Sequence, residues 1–389
     1  MDFEYNEEQK QLADSLQKYL TNSYSFEARK ELIASDDGFS QAAWTAIAEM
    51  GLTAIPFTTD AGGFGGGAVD MMAAMEAFGD ALVVEPMLDH IALASRLVAQ
   101  AGTAGQRAAT LPALLDGSRK ATFAYLERGR RYALEPRTTS AAKAGEGWQL
   151  DGEKVVVIGA PLADLMVVSA QISHGPGCPV SGGTGLFLVD RNTSGVSISA
   201  YRTVDGQRAG DVKFTSVMLP ADALLGGEES QGQALPQIEE AIDFASALLC
   251  ADAVGAMKSA NDATLEYLKT RKQFGIAIGS FQALQHRMVD MFMACEQARS
   301  MAILAACRVD AAASSTDAAV IAARKKSVSG AMVKIADSAR LISQESVQLH
   351  GGMGMTEEMK VSHTFRRLTM LAQRFGDADH HLARYAQTA

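Results

Sequence analysis

The sequence has no run of about 20 apolar residues, the length a helix needs to cross a bilayer, so no membrane span is expected. Nor has it an excess of basic charge. Its 35 Lys and Arg stand against 45 Asp and Glu, and the net charge of −10 argues against counterion-driven nucleic-acid binding. The same balance disfavours acidic membrane surfaces. Cysteine is scarce: Cys178, Cys250, Cys295 and Cys307 are far apart, with no C-x-x-C pair. Three of them lie in stretches of helical periodicity, which predicts free thiols packed as small hydrophobes in a reducing, cytoplasmic setting. His350, His363, His380 and His381 stand at no metal-ligand spacing, and no G-x-S-x-G is present. The A-G-G-F-G-G-G run at 61–67 lacks the Lys and Ser/Thr of a phosphate loop and reads as a turn with close backbone approach. The start, M-D-F-E-Y-N-E-E-Q, is acidic and unlike a secretory or transit peptide. No internal repeat is visible.

What is present is globular material, 48% apolar and 21% charged, in a chain of 389 residues that is too long for one ordinary core. Helical spacing begins after Asn6, with Leu12, Leu16 and Leu20 on one face. It recurs from a Ser40 cap to Gly51, over 68–79 and over 90–101. Near Lys120 the period changes. Short β-branched runs at 121–127, 148–158, 165–172, 185–190, 196–201 and 211–219 predict six strands in a small antiparallel barrel or sandwich. Turn signals at Asp151-Gly152 and in the S-H-G-P-G-C-P-V-S-G-G-T-G loop from Ser173 separate them. After Pro220 the helical period returns over 235–271, 280–311, 317–350, 357–375 and 377–387, which predicts an antiparallel four-helix-type bundle. The fold class expected is α+β, with domains at 1–118, 119–225 and 226–389. Met288, Met291, Met293 and Met301 are read as core packing.

Two loops interrupt the late helices: R-K-Q-F-G at 271–275, followed by F-Q-A-L-Q-H from Phe281, and Q-L-H-G-G-M-G from Gln348. With the helical–β–helical order, these motifs resemble the acyl-CoA dehydrogenase family over nearly the whole chain. The resemblance implies FAD, an acyl-CoA substrate oxidised to a 2-enoyl-CoA, and electron-transfer flavoprotein as acceptor. It assigns Arg271, Gln273, Phe274, Gln282, Gln348, Gly351 and Gly352 to the ADP half of an FAD whose flavin ring sits in the neighbouring subunit. The chemistry suits: a guanidinium fork for pyrophosphate, an aromatic face for adenine, and side-chain-free backbone at the glycines. Asp377 matches a hydroxyl position that usually contacts FAD.

Elsewhere the family pattern is lost. The flavin loop T-E-P-x-A-G-S is matched by Leu126-E-R-G-R-R-Y-A133, which keeps only Glu127 and adds three arginines. The W-[IV]-[ST] segment is matched by Val156-Val157-Ile158. The glutamate base of Y-E-G-T falls on Phe375, and the alternative base position falls on Ala245. Asp377 and Asp243 each lie two residues from one of these positions and are weak substitutes, because Asp is shorter and differently placed; Asp377 also suits a helix N-cap.

These losses and retentions imply a small subunit of a heteromeric dehydrogenase, of the pimeloyl-CoA or steroid side-chain type, completing the FAD site of a larger catalytic partner in an α2β2 assembly. The alternatives are a self-sufficient homo-oligomeric flavoenzyme using Asp377 or base-independent chemistry, and a cofactor-free scaffold.

Overall fold

The computed structural model describes residues 7–173, 182–230 and 232–388; Asn6 and Cys178 lie outside the described residues. Six α-helices come first: α1 Glu7–Ser23, α2 Phe26–Ala34, α3 Gln41–Glu49, α4 Ala68–Ala81, α5 Arg96–Ala101 and α6 Ala104–Leu115. Seven strands follow: β1 Ala121–Ala124, β2 Ser140–Ala144, β3 Gly147–Ile158, β4 Leu165–Ser173, β5 Thr184–Asp190, β6 Val196–Arg202 and β7 Arg208–Leu219. Then come α7 Leu235–Thr270, a two-strand hairpin of β8 Lys272–Gln273 and β9 Ile276–Ala277, and α8 Gln282–Ala312. The chain ends in α9 Ala318–His350, α10 Lys360–Leu371 and α11 Ala378–Gln387.

The order helical, β, helical is as expected, and Ser40 caps α3 by accepting the Ala43 N–H at 3.1 Å. Among the described residues, this region has seven strands rather than six. Ser140–Ala144 has no β-branched residue to announce it, and it pairs antiparallel with β3 and parallel with β4. With β1 also parallel to β4, the sheet is mixed, in the order β1-β4-β2-β3-β7-β6 with β5 on β4. Its core gathers Trp148, Leu150, Met166, Val168, Phe187, Val212 and Phe214, residues taken alternately from each strand.

The chain packs as two compact units that are not consecutive in sequence. One holds the helices before Leu32, residues 67–83 and everything from Ser246; the other holds residues 32–66 and 84–245. Within the first, α4 and α7 touch backbone to backbone. A Cβ at Gly79 would run into the Asp252 carbonyl oxygen, and one at Gly255 into that of Glu76. Gly255→Val is therefore expected to destabilise the fold by about 2 kcal/mol, since main chain cannot step aside as a side chain could. The midpoint of chemical denaturation measures it, and an unchanged midpoint would refute the close crossing. Within the second unit, Arg96 makes a two-pronged, buried pair with Glu240 at 2.9 and 2.5 Å and lies 3.8 Å over the Phe244 ring, which ties α5 to the first turns of α7.

The methionine stripe needs correction. Met291 is fully buried, but Met293 is half exposed and Met288 lines an open groove. Residues two apart on a helix lie about 200° from each other around the axis, so 291 and 293 cannot share a core face. The glycine run at 61–67 does bring backbones close: a Cβ at Gly63 would meet the carbonyl oxygens of Phe57 and Ala54.

Candidate functional site

Helix α7 stops at Thr270, whose hydroxyl turns back to donate to the Glu266 carbonyl at 2.8 Å. The next residues are a tight hairpin. Lys272 and Gln273 pair with Ala277 and Ile276, and the Ile278 N–H donates to the Arg271 carbonyl at 2.9 Å to close its base. Both turn residues, Phe274 (φ 54°) and Gly275 (φ 82°), are left-handed. That is the turn pattern that matches strand twist, but it normally carries Asn-Gly, and a Cβ-bearing aromatic there costs roughly 1–2 kcal/mol. The outcome is an aromatic ring 92% exposed at the tip, edge-on to Phe281 at 6.4 Å. Arg271, Gln273 and Gln282 are also exposed. The sequence reading foresaw a loop here, not a hairpin; the two-residue spacing F-G between K-Q and I-A was the available signal.

The second corner closes α9. Gly351 has φ 62° and ψ −145°, a conformation open only to glycine, whereas Gly352 has an ordinary φ. A Cβ added at either would meet no atom within 4 Å. Among the described residues, nothing requires Gly352 to lack a side chain. The open space at both positions leaves room for a ligand or another chain to approach the backbone. Gln348 is exposed beside it. The two corners, far apart in sequence, are joined by a stack of Tyr267 on His350, ring centroids 4.4 Å apart and 27° between planes. Tyr267 stands one turn before Arg271, and His350 immediately precedes Gly351. Guanidinium, amides, aromatic face and bare backbone thus share one exposed end of α7 and α9. This donor set fits the ADP half of a dinucleotide.

The stretches that the family resemblance aligns with a flavin-ring contact are built differently. Glu127 is buried and accepts the N–H groups of Arg137, Thr138 and Thr139 at 2.8, 2.9 and 3.0 Å, so one carboxylate closes the loop 127–137. Lys154, fully buried, donates to it at 3.0 Å and also to the Tyr125 carbonyl and the Ser169 hydroxyl, both at 3.2 Å. Burial pushes the Glu127 carboxyl up, but the Lys154 ammonium and the backbone donors outweigh it and hold it at about 2. Burial pulls the Lys154 ammonium down to about 8 against the opposing pull of Glu127. Sequence inspection missed Lys154. Its inward register with Trp148 and Leu150 along β3 was the signal.

Past Lys154 the β3–β7 register slips, and Val156 bulges out with φ 52°, a strained setting for a β-branched residue. It is 42% exposed, so this segment is not the flat apolar strand piece that its sequence suggests. Asp211 fixes the bulge: its Oδ1 accepts the Val156 N–H at 3.0 Å and the Tyr201 hydroxyl at 2.8 Å, and Arg128 donates to Oδ2 at 3.0 Å. Burial and the bond to Asp211 together push the Tyr201 phenol up to about 12. Among the described residues no aromatic ring or hydroxyl stands at 156–158, where the family pattern has both.

At the two positions that the resemblance aligns with a base, Ala245 is fully buried on α7, and Phe375 is buried with φ 61° and the Arg374 guanidinium 4.9 Å from its ring. Asp243 is buried. Asp377 is the N-cap of α11 and accepts the His380 N–H at 2.9 Å. It also lines a cavity of about 450 Å³ with Arg340, Gln344 and Gln373.

Three family descriptions match in register: acyl-CoA dehydrogenase N-terminal domain over residues 6–118, middle domain over 123–217 and C-terminal domain over 232–388. Together they span nearly the whole sequence, and the chain belongs to the acyl-CoA dehydrogenase family. It is an oxidoreductase fold whose cofactor is FAD. A short-chain-specific acyl-CoA dehydrogenase of Clostridium acetobutylicum is 26% identical, over 94% of this chain and 93% of that one. Among solved structures, the ChsE4–ChsE5 complex of Mycobacterium tuberculosis superposes with a TM-score of 0.86 at 23% identity, covering 100% of this chain and 98% of that one. A steroid acyl-CoA dehydrogenase variant, Tcur3481–Tcur3483, gives 0.83 at 26% identity, over 98% and 97%. Among the described residues no helix is long and apolar enough to cross a membrane, and no cluster of His, Cys, Asp or Glu could hold a metal.

Proposed function

We propose that this chain is the FAD-completing, non-catalytic subunit of a heteromeric acyl-CoA dehydrogenase. The observation that carries the reading is the contrast between its two halves of a cofactor site. The arm of Arg271, Gln273, Phe274, Gln282, Gln348, Gly351 and Gly352 is gathered by the Tyr267–His350 stack and stands exposed. The base positions hold buried Phe375 and Ala245, which cannot take a proton. When bound, FAD would supply the hydride acceptor for the acyl chain while a base removes the neighbouring proton. In this reading Arg271 clamps the pyrophosphate of a partner's FAD, Phe274 faces its adenine, Gln282 hydrogen-bonds adenine or ribose, and the Gly351–Gly352 backbone lets the cofactor approach. The base comes from the larger partner, in an α2β2 assembly. Two neighbours by structure, described as ChsE4–ChsE5 and Tcur3481–Tcur3483, are two-chain systems, which supports the arrangement.

The test is the visible spectrum. The chain purified alone should be colourless, and co-expression with a catalytic dehydrogenase subunit from a neighbouring gene should give a yellow complex. Arg271→Ala in that complex should lower flavin content at least about tenfold at limiting FAD, the loss of one charge-assisted contact. A chain that alone holds stoichiometric flavin bleached by acyl-CoA would sink the proposal, and so would an R271A complex with full flavin.

A further inference from the structure

Apart from the proposed cofactor arm, a buried guanidinium lies against a buried imidazole. Arg29, on the first turns of α2, is 1% exposed, and its Nε donates to the Leu82 carbonyl at 2.6 Å. Its Nη1 lies 3.1 Å from Nδ1 of His363 on α10, which is 3% exposed. A guanidinium has only donors, so Nδ1 must be the acceptor and the ring's proton must sit on Nε2. Nε2 is placed to donate: the Glu357 carbonyl oxygen is 3.1 Å away and the Glu357 carboxylate 3.3 Å. The neutral Nε2–H tautomer is thereby fixed from both sides.

A second proton has only Nδ1 to occupy. It would place an N–H against the Arg29 N–H and a second cation beside a buried one, and the hydrogen bond would become a repulsion. The other charged groups facing the ring do not cancel this. Arg366 on α10 adds positive charge, and Glu357 is committed to Arg366 by two bonds of 3.0 and 2.8 Å. Lys30 of α2 lies 5.4 Å over Phe26, the ring that meets His363 edge-on at 4.9 Å. Burial, the largest influence, lowers the affinity of His363 for a proton; the bond to the Glu357 carbonyl and the Glu357 charge pull the other way, but with Arg366 and Arg29 added to burial the net direction stays down.

We propose that Arg29 and His363 form a pH-sensitive clasp, holding the first turns of α2 against α10 at neutral pH and releasing them on acidification. Release stays local, because α4 is held to α10 separately by the Lys360–Asp80 pair at 3.0 Å. The device goes beyond cofactor sharing, since it involves no residue of the arm.

Hydrogen exchange of the full chain, corrected for the intrinsic rate, tests it. Protection of amides 26–31 should fall with a slope approaching tenfold per pH unit below about pH 6.5, the slope of one coupled proton. In His363→Gln, whose amide can accept from Arg29 but cannot take a proton, that slope should vanish. Equal slopes in both proteins would overturn the clasp. The nitrogen shifts of His363 in the unmutated chain give a reading that needs no variant. Nδ1 unprotonated and Nε2–H at pH 7.5 is expected, and the opposite tautomer would refute the proposal.

Discussion

Lys154→Met should lower the unfolding free energy by about 3–5 kcal/mol, the usual cost of removing one partner from a buried ion pair. Lys154 is fully buried and makes three contacts, to the Glu127 carboxylate, the Tyr125 carbonyl and the Ser169 hydroxyl. Methionine fills most of the volume but leaves all three acceptors without that donor. Glu127 keeps its three backbone N–H donors, so it stays ionised and the loop 127–137 does not collapse outright. The double variant Glu127→Gln/Lys154→Met should therefore recover part of the loss, because it removes the uncompensated charge. Urea denaturation of the four proteins measures both. A loss under about 1 kcal/mol in K154M would show that the pair is a bystander.

The second large effect is acid sensitivity carried by two histidines buried as neutral rings. His90 is 1% exposed; its Nε2 donates to the Leu114 carbonyl at 2.9 Å and its Nδ1 accepts the Ala121 N–H at 3.0 Å, leaving no place for a second proton. Burial, with Lys120 nearby, lowers it to about 4 despite those bonds. His381 is 2% exposed, and among the described residues neither ring nitrogen has a hydrogen-bond partner. Burial, then the neighbouring His380 and Arg384, lowers it to about 3. Both folded values lie below the unfolded value of about 6.5, so below that pH the unfolded chain binds more protons. Stability is then full above about pH 6.5 and falls as pH drops toward the folded values. At pH 5 the loss is about 2 kcal/mol for each ring, about 4 kcal/mol together, relative to pH 7.5. Denaturant midpoints across that range check it. His381→Leu should remove its own share of the acid loss, about 2 kcal/mol at pH 5, and should not cost stability at pH 7.5, since it replaces an unsatisfied polar ring with an apolar side chain. A flat profile would show that these rings are reached by solvent.

Helix α7 shows how far local pattern reaches. Its 36 residues, and the bounds of α8 and α9, fall within a few residues of the stretches that helical spacing marks out. Apolar period and breakers such as Gly and Pro are local properties that need no knowledge of neighbours. Strand β2 is the opposite case. Ser140-Ala-Ala-Lys-Ala has no strand propensity and is a strand because β3 and β4 flank it. Lys154 reads as an ordinary strand lysine until Glu127 is folded onto it from 27 residues away.

The sequence by itself carried the family resemblance, put Phe375 and Ala245 where that resemblance expects a base, and named the residues proposed for the cofactor arm, because these are matters of residue type at a position. Only the tertiary structure decided that R-K-Q-F-G is a strained hairpin with Phe274 at its tip. It alone brought the last turns of α7 and α9 together, through the stack of Tyr267 on His350. It alone put His363 against Arg29, 334 residues away. Contacts across such separations depend on the summed packing of helices, and no single stretch of sequence records that sum.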